Sequence, residues 1–273
     1  MIAYYYCSLE TCLNILRNKE LYLSDPLKMN DKAEITWGIK RVMENYENTK
    51  AEDDFREKMS EVNLDFTSED MIKRIEERGQ RNLYIISFSK NKDLLSQWRA
   101  YAKNGTGVAI GFDLDKLKLA DNINVRDVDY SDRIVPDKNV DDIVRASSVI
   151  ANLDLPVDTQ LDILIDRLLS SMVVYKNPAF KEEDEVRLVY GDEFILEELI
   201  RPEGYERIDL KREFRLIGEN SITEFVKLPF ESDAISEICI GPKCMMNEND
   251  MKAMAKHYLG TTPQISSSTA TYR

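Results

Sequence analysis

The chain has 273 residues, enough for one large domain or two small ones with a real interior. Apolar residues at 43% and charged residues at 32% describe a soluble, globular protein, and a formal net charge of −13 repels phosphate backbones at long range. Extended duplex nucleic-acid binding is therefore not expected, nor is a membrane: no apolar run approaches the roughly 20 residues of a spanning helix.

The opening residues, Met-Ile-Ala-Tyr-Tyr-Tyr, lack the charged region and long apolar core of a signal peptide. Cys7, Cys12, Cys239 and Cys244 form no C-x-x-C, and His257 is the one histidine. Cysteine-histidine zinc sites and Ser-His-Asp or Cys-His catalysis are thereby set aside, and a reduced, cytoplasmic setting is expected. Any chemistry must run on carboxylates, hydroxyls, aromatic faces and arginine. His257 itself falls near the end of a predicted helix, an ordinary place for a cation or surface group.

In chain order, residues 3–7 read as a short aromatic strand. Ser8 caps a helix with Leu9, Cys12, Leu13 and Leu16 at helical spacing, and residues 21–23 are a second short strand. Asn30, Asp31 and Glu34 sit in or beside a loop, able either to cap the following helix or to meet a ligand. Residues 36–80 are charged and helical, with a Thr67–Asp70 capping box, and read as a solvated cover.

The most organised stretch is 84–113: strand, polar loop, helix, tight turn, strand. Asp93 is the expected N-cap, and Leu94, Trp98 and Tyr101 share a helical stripe. Asn104-Gly105 ends the helix. The glycines Gly105, Gly107 and Gly111 follow a helix and open a strand, the reverse of a dinucleotide fingerprint, so they supply a turn and a close backbone approach. Further on come a strand from 123, a loop around Pro136, helices at about 140–151 and 158–172, strands at 185–190, 214–217, 223–228 and 235–240, a helix at 248–259 and a last strand from Gln264. Without a regular βαβ rhythm the fold class is α+β, with mixed, mostly antiparallel sheets under a helical cover. A single domain over 1–273 is expected, with a helical insertion at about 36–80 and a second helical segment at about 138–173.

Residues 176–187 carry the densest chemistry. On a strand, Glu183, Glu185 and Arg187 face one way while Val186 and Leu188 face the other. Such a row either grips a small ligand or forms a solvated ion pair. Ser87 and Ser89 share a strand face. Trp98 and Tyr101 serve either as core or as a stacking platform, and Arg99 leaves the stripe for solvent or a phosphate.

These residues also resemble the bacterial domain-of-unknown-function family 2971. The resemblance rests on Tyr5 and Tyr6; on Asn30, Asp31 and Glu34; on Ser87 and Ser89; on Trp98, Tyr101, Gly107 and Val108; and on Lys176, Phe180, Glu183, Glu185 and Arg187. Lys32-Ala33 stands where that family tends to Pro-Phe, and Phe180 where Trp is usual. More distantly the chain is similar to ADP-ribosyltransferase-like toxins, which place a first-strand polar residue, a Ser-x-Ser strand and a late-strand catalytic Glu around NAD. Tyr5 or Tyr6, then Ser87 and Ser89, then Glu185 fall in that order, with Tyr6 in the place of a first-strand Arg or His.

The resemblance implies a NAD-using ADP-ribosyltransferase-like enzyme or NAD glycohydrolase, acting as a toxin or anti-phage defence effector with a cognate antitoxin or partner protein. It implies that Glu185, Glu183 and Arg187 are catalytic, that Tyr6 or Trp98 stacks on nicotinamide, and that Arg99 or Lys176 pairs with the diphosphate. Tyr5, Ser87, Ser89 and Tyr101 complete the expected NAD site, which includes no metal. A non-catalytic protein- or nucleotide-binding module is the alternative. A nuclease using Glu183, Glu185 and Lys176 around Mg²⁺ ranks last.

Overall fold

The computed structural model describes residues 1–28, 37–38, 73–74, 77, 83–131, 155–191, 203–217 and 219–272. The expectations for Asn30, Asp31 and Glu34, for the bulk of the 36–80 cover with its capping box, and for the loop and helix across 133–151 lie outside them.

Ser8 accepts a hydrogen bond from the Thr11 amide at 3.0 Å and starts helix α1, Leu9–Asn18, which buries Cys12, Ile15 and Leu16. Strand β1, Ile2–Cys7, precedes it and β2, Glu20–Ser24, follows after Lys19 in the left-handed region. The central unit is β3, Leu83–Ser89, helix α2, Leu95–Ala100, and β4, Val108–Asp113. Next come β5, Ile123–Asp127, helix α3, Val157–Met172, and β6, Glu185–Gly191. The hairpin β7, Arg212–Ile217, and β8, Ser221–Pro229, leads to β9, Ile235–Ile240, helix α4, Glu248–Leu259, and β10, Gln264–Ser267. The exposed His257 lies in the last turn of α4, as expected.

The ten strands form one mixed, mostly antiparallel sheet, in which β9 and β10 run parallel. Its branch point is β3. One edge of β3 pairs with β6 from Leu83–Gly191 to Ser89–Glu185. The other edge is shared: β1 meets it at Tyr4–Ser89 and β2 at Ser24–Ile85. Beyond those bridges β1 runs on with β4, and β2 runs on with β8. The sheet therefore forks along one edge of β3, with β10-β9-β4-β1 as one arm and β2-β8-β7 as the other.

Alternation along β3 sorts its side chains. Tyr84, Ile86 and Phe88 enter the main core with Val186, Leu188 and Tyr190 of β6, under residues of α1 and α4. Phe112 is its aromatic hub, with ring centroids 5.9 Å from Phe88 and 5.3 Å from Phe230. On the opposite face Tyr4 and Tyr6 pack with Trp98, Ala102, Ala109 and Cys239 in a smaller cluster beneath α2.

Asp93 departs from expectation. Leu94 occupies the N-cap of α2 and makes no side-chain cap bond. The Asp93 carboxylate accepts instead from Trp98 Nε1 at 2.7 Å, from the Thr269 amide at 2.7 Å and from the Ser268 and Thr269 hydroxyls. Four donors on one carboxylate outweigh a single cap. Asp93 thus ties the segment after β10 to the start of α2.

Gly107 and Gly241 pack backbone against backbone. A Cβ on Gly107 would sit inside the Cys7 carbonyl, whereas nothing lies within 4 Å of a Cβ on Gly191. Gly107→Ala is expected to cost about 3 kcal/mol, and Gly191→Ala to stay within about 0.5 kcal/mol of wild type. Urea unfolding midpoints of the two variants check the difference.

Candidate functional site

The fork encloses a cavity of about 390 Å³. Its walls include Tyr4 to Cys7 of β1 on one arm, Tyr22 and Ser24 of β2 on the other, and Ile85 to Ser89 of β3 between them. If β1 and β2 kept pairing beyond their bridges, Tyr6 and Tyr22 would both fall opposite Ser87. Because the arms part instead, these residues face open space. Lys176, Glu183, Glu185 and Arg187 also line it, so the late acidic segment and the serine strand share one hollow. The reason is local: Ser87 pairs with Arg187 and Ser89 with Glu185 across the β3–β6 ladder.

The charged groups form a buried network. Arg187 grips Glu185 from two sides, Nε to Oε1 at 2.7 Å and Nη2 to Oε2 at 3.2 Å, and its Nη1 donates to the Val173 carbonyl after α3. Lys176, only 2% exposed, donates to Glu185 Oε2 at 3.1 Å and to Glu183 Oε2 at 2.7 Å. Tyr130 accepts from the Glu185 amide at 2.9 Å. Burial pushes the Glu185 carboxyl up, but Arg187, Lys176 and the Ser87 hydroxyl outweigh it and hold the group below its ordinary value of 4.5. Two carboxylates face two cations in a largely buried setting, where each is held by a partner of opposite charge.

The two glutamates differ. Glu183 does not lie on the strand, as the alternation predicts, but ends a 3₁₀ turn over Pro178–Glu183, followed by Asp184 in the left-handed region. Asn177 caps that turn through the Ala179 amide, and the fixed proline geometry suits its first position. Glu183 therefore enters the cavity from the turn and not from the sheet. Both Glu185 oxygens are engaged, whereas the contact between Lys176 and Glu183 uses Oε2 and leaves Oε1 uncommitted among the described residues.

Residues 97–188, from Gln97 in α2 to Leu188 in β6, match a family model described as Protein of unknown function (DUF2971). Over this stretch, about a third of the chain, the protein is similar to that family. The match takes in Tyr101, Lys176, Glu183, Glu185 and Arg187 of the cavity, while β1, β2 and β3 lie outside the matched residues. No curated protein and no solved structure matches the chain.

Not all of the expected residues line the cavity. Trp98 is fully buried, with its ring 4.8 Å from Tyr6 and its indole N–H on Asp93, and is not part of the lining. Arg99 points away, its guanidinium 4.8 Å from the Tyr272 ring. Tyr6 lines the cavity, but its hydroxyl is engaged, donating to the Asn91 carbonyl and accepting from the Leu94 amide. Ser89 donates to the Glu183 carbonyl and accepts from the Asn91 amide, pinning the turn to the strand. Tyr5, whose phenol burial pushes up to about 12, Tyr101 and Ser87 do line the hollow.

Several lining residues escape sequence reasoning. Tyr22 was legible as the odd residue of Leu-Tyr-Leu. Lys28, Lys103 and Arg215 were not: Arg215 joins the cavity through strand order, Lys28 from the 3₁₀ turn after β2 and Lys103 from the turn before β4.

Removing one member of the network leaves buried charge behind. Glu185→Gln is expected to cost about 3–5 kcal/mol in urea unfolding at neutral pH. Because the folded-state pKa of Glu185 is depressed, its contribution is complete above 4.5 and is lost as pH falls through the lower folded value. Wild-type stability should therefore fall on acidification below about 4.5, with a shallower acid limb in Glu185→Gln.

Proposed function

We propose that the protein is a NAD-using ADP-ribosyltransferase-like enzyme, acting as a toxin or defence effector held in check by a partner protein. The observation that carries this reading is the fork: a late glutamate, Glu185, in register with a Ser-x-Ser strand and a second, Glu183, on the turn before it, facing first-strand tyrosines across a hollow of about 390 Å³. In ADP-ribosyl transfer the bond from the ribose anomeric carbon to the nicotinamide nitrogen breaks. Its electron pair goes to nitrogen and the positive charge moves to the sugar. An anionic carboxylate beside the ribose stabilises that charge as it develops.

The geometry favours different roles for the two acids. Glu183 takes the ribose, accepting a hydroxyl through its uncommitted oxygen. Glu185, locked by Arg187, fixes Lys176 and so orients Glu183. For nicotinamide, the lining rings Tyr5, Tyr22 and Tyr101 are better placed than Trp98, whose ring is fully buried. Among the described residues no three His, Cys, Asp or Glu side chains stand together to hold a metal ion, so the Mg²⁺ nuclease reading gains no support.

The test is release of labelled nicotinamide from NAD, alone and with cell extract as acceptor. Glu183→Gln should lower the rate about 10²- to 10⁴-fold with the unfolding midpoint little changed, whereas Glu185→Gln should lower both. Unchanged biological action of a folded Glu183→Gln protein would instead select the non-catalytic binding module.

A further inference from the structure

The cavity reverses the charge of the chain that makes it. Lys176 and Arg187 are matched by Glu183 and Glu185 inside it, but Lys28, Lys103 and Arg215 also line it. Among the described residues no carboxylate pairs with any of these three. The described lining thus carries an excess of three cations in a protein of net charge −13. In a concave site the low-dielectric walls focus such a field, so the cavity attracts the anions that the outer surface repels.

Their placement is organised by the fork. Lys28 ends the 3₁₀ turn Pro26–Lys28, which follows directly on β2. Asp25 fixes that turn by accepting from the Leu27 amide at 2.9 Å. Arg215 stands on β7 beside the same arm, donating through Nη2 to the Ser24 hydroxyl at 2.7 Å and lying 5.5 Å from the Phe225 ring. A guanidinium supported in this way has already lost much of its rotamer freedom, and its remaining N–H groups suit a phosphate. Lys103 stands on the other arm, in the turn between α2 and β4, in the left-handed conformation. Cations on both arms fit an anion held across the fork better than one resting on a single wall. Neither expected diphosphate partner is placed for this: Arg99 is turned to Tyr272, and Lys176 is committed to two glutamates.

We infer that Lys28 and Arg215 on one arm and Lys103 on the other form a diphosphate clamp, which makes the ligand of the cavity a nucleoside diphosphate or dinucleotide. The inference rests on the proposed function for the nucleotide but not for the chemistry. The diphosphate crosses the mouth of the fork, a nucleoside lies along the tyrosines, and the ribose on the far side reaches Glu183.

Calorimetric titration of the whole chain with ADP-ribose, adenosine and inorganic pyrophosphate tests the clamp. Wild type should bind ADP-ribose and pyrophosphate, with affinity falling as salt rises. Arg215→Gln, Lys28→Gln and Lys103→Gln should each weaken ADP-ribose about 10-fold or more, and adenosine hardly at all. Arg215→Lys should recover only part of the loss, because it keeps the charge and loses the fork of donors. Lys28 and Lys103 are exposed, so their variants test the clamp even if Arg215→Gln loosens its strand. Absence of ADP-ribose and pyrophosphate binding in wild type overturns the clamp, as does affinity that survives all three substitutions. Binding of ADP-ribose that depends on the three cations, with no cleavage of NAD, upholds the clamp and defeats the transferase reading.

Discussion

A strand has two edges, and β3 must serve three neighbours. That constraint shapes the molecule. The β6 ladder takes one edge entirely, so β1 and β2 divide the other, each holding it by a bridge near one end. Because each is also committed along its length to another strand, β1 to β4 and β2 to β8, neither can close the gap. The hollow is the consequence of three pairings competing for two edges. Its β1, β2 and β3 walls each belong to a ladder, which favours groups that wait in position.

The same branch point explains why charge is tolerated there. Glu185 and Arg187 lie on the face of β6 opposite the main core, next to Ser89 and Ser87. In apolar surroundings either charge alone would be costly. Together with Lys176 and Glu183 they neutralise one another, and Val173, Ser87 and Tyr130 satisfy groups that remain. A network of this kind contributes little net stability compared with apolar packing, but it is intolerant of loss. It fixes the turn over Pro178–Glu183 against the sheet, and so sets where Glu183 stands.

Around this neutral centre the lining divides by chemistry. Hydroxyls and rings come from β1, β2 and β3, and cations that no carboxylate meets among the described residues come from the turn after β2, from β7 and from the turn before β4. Trp98, which by its size invites a functional reading, does structural work in this arrangement. It fills the second core, and through Asp93 it connects α2 to the segment that follows β10.

The sequence by itself determined most of the elements and one real grouping. The β-rich run at 84–88, the alternation from Glu185 and the Ser8 cap are local signals, and local physics decides them, whereas the helix expected to run to Asn104-Gly105 ends at Ala100 and leaves those residues in the following turn. The Lys176-to-Arg187 spacing also placed four charged groups within reach of one another, since they lie on a turn and the strand that directly follows it. What the sequence could not supply was strand order. The helix stripe of Trp98 and Tyr101 is the same whether it faces a ligand or a core; only the packing of β1 and β4 under α2 buried Trp98 and left Tyr101 at the cavity. Asp93 carries the local signature of a cap, but donors more than 170 residues later claimed it. Lys28 and Arg215 became cavity residues because β7, β8 and β2 lie in sequence on one arm of the fork. That arrangement is settled by which distant edges pair, and pairing energy is shared over whole ladders, so no short stretch of chain encodes it.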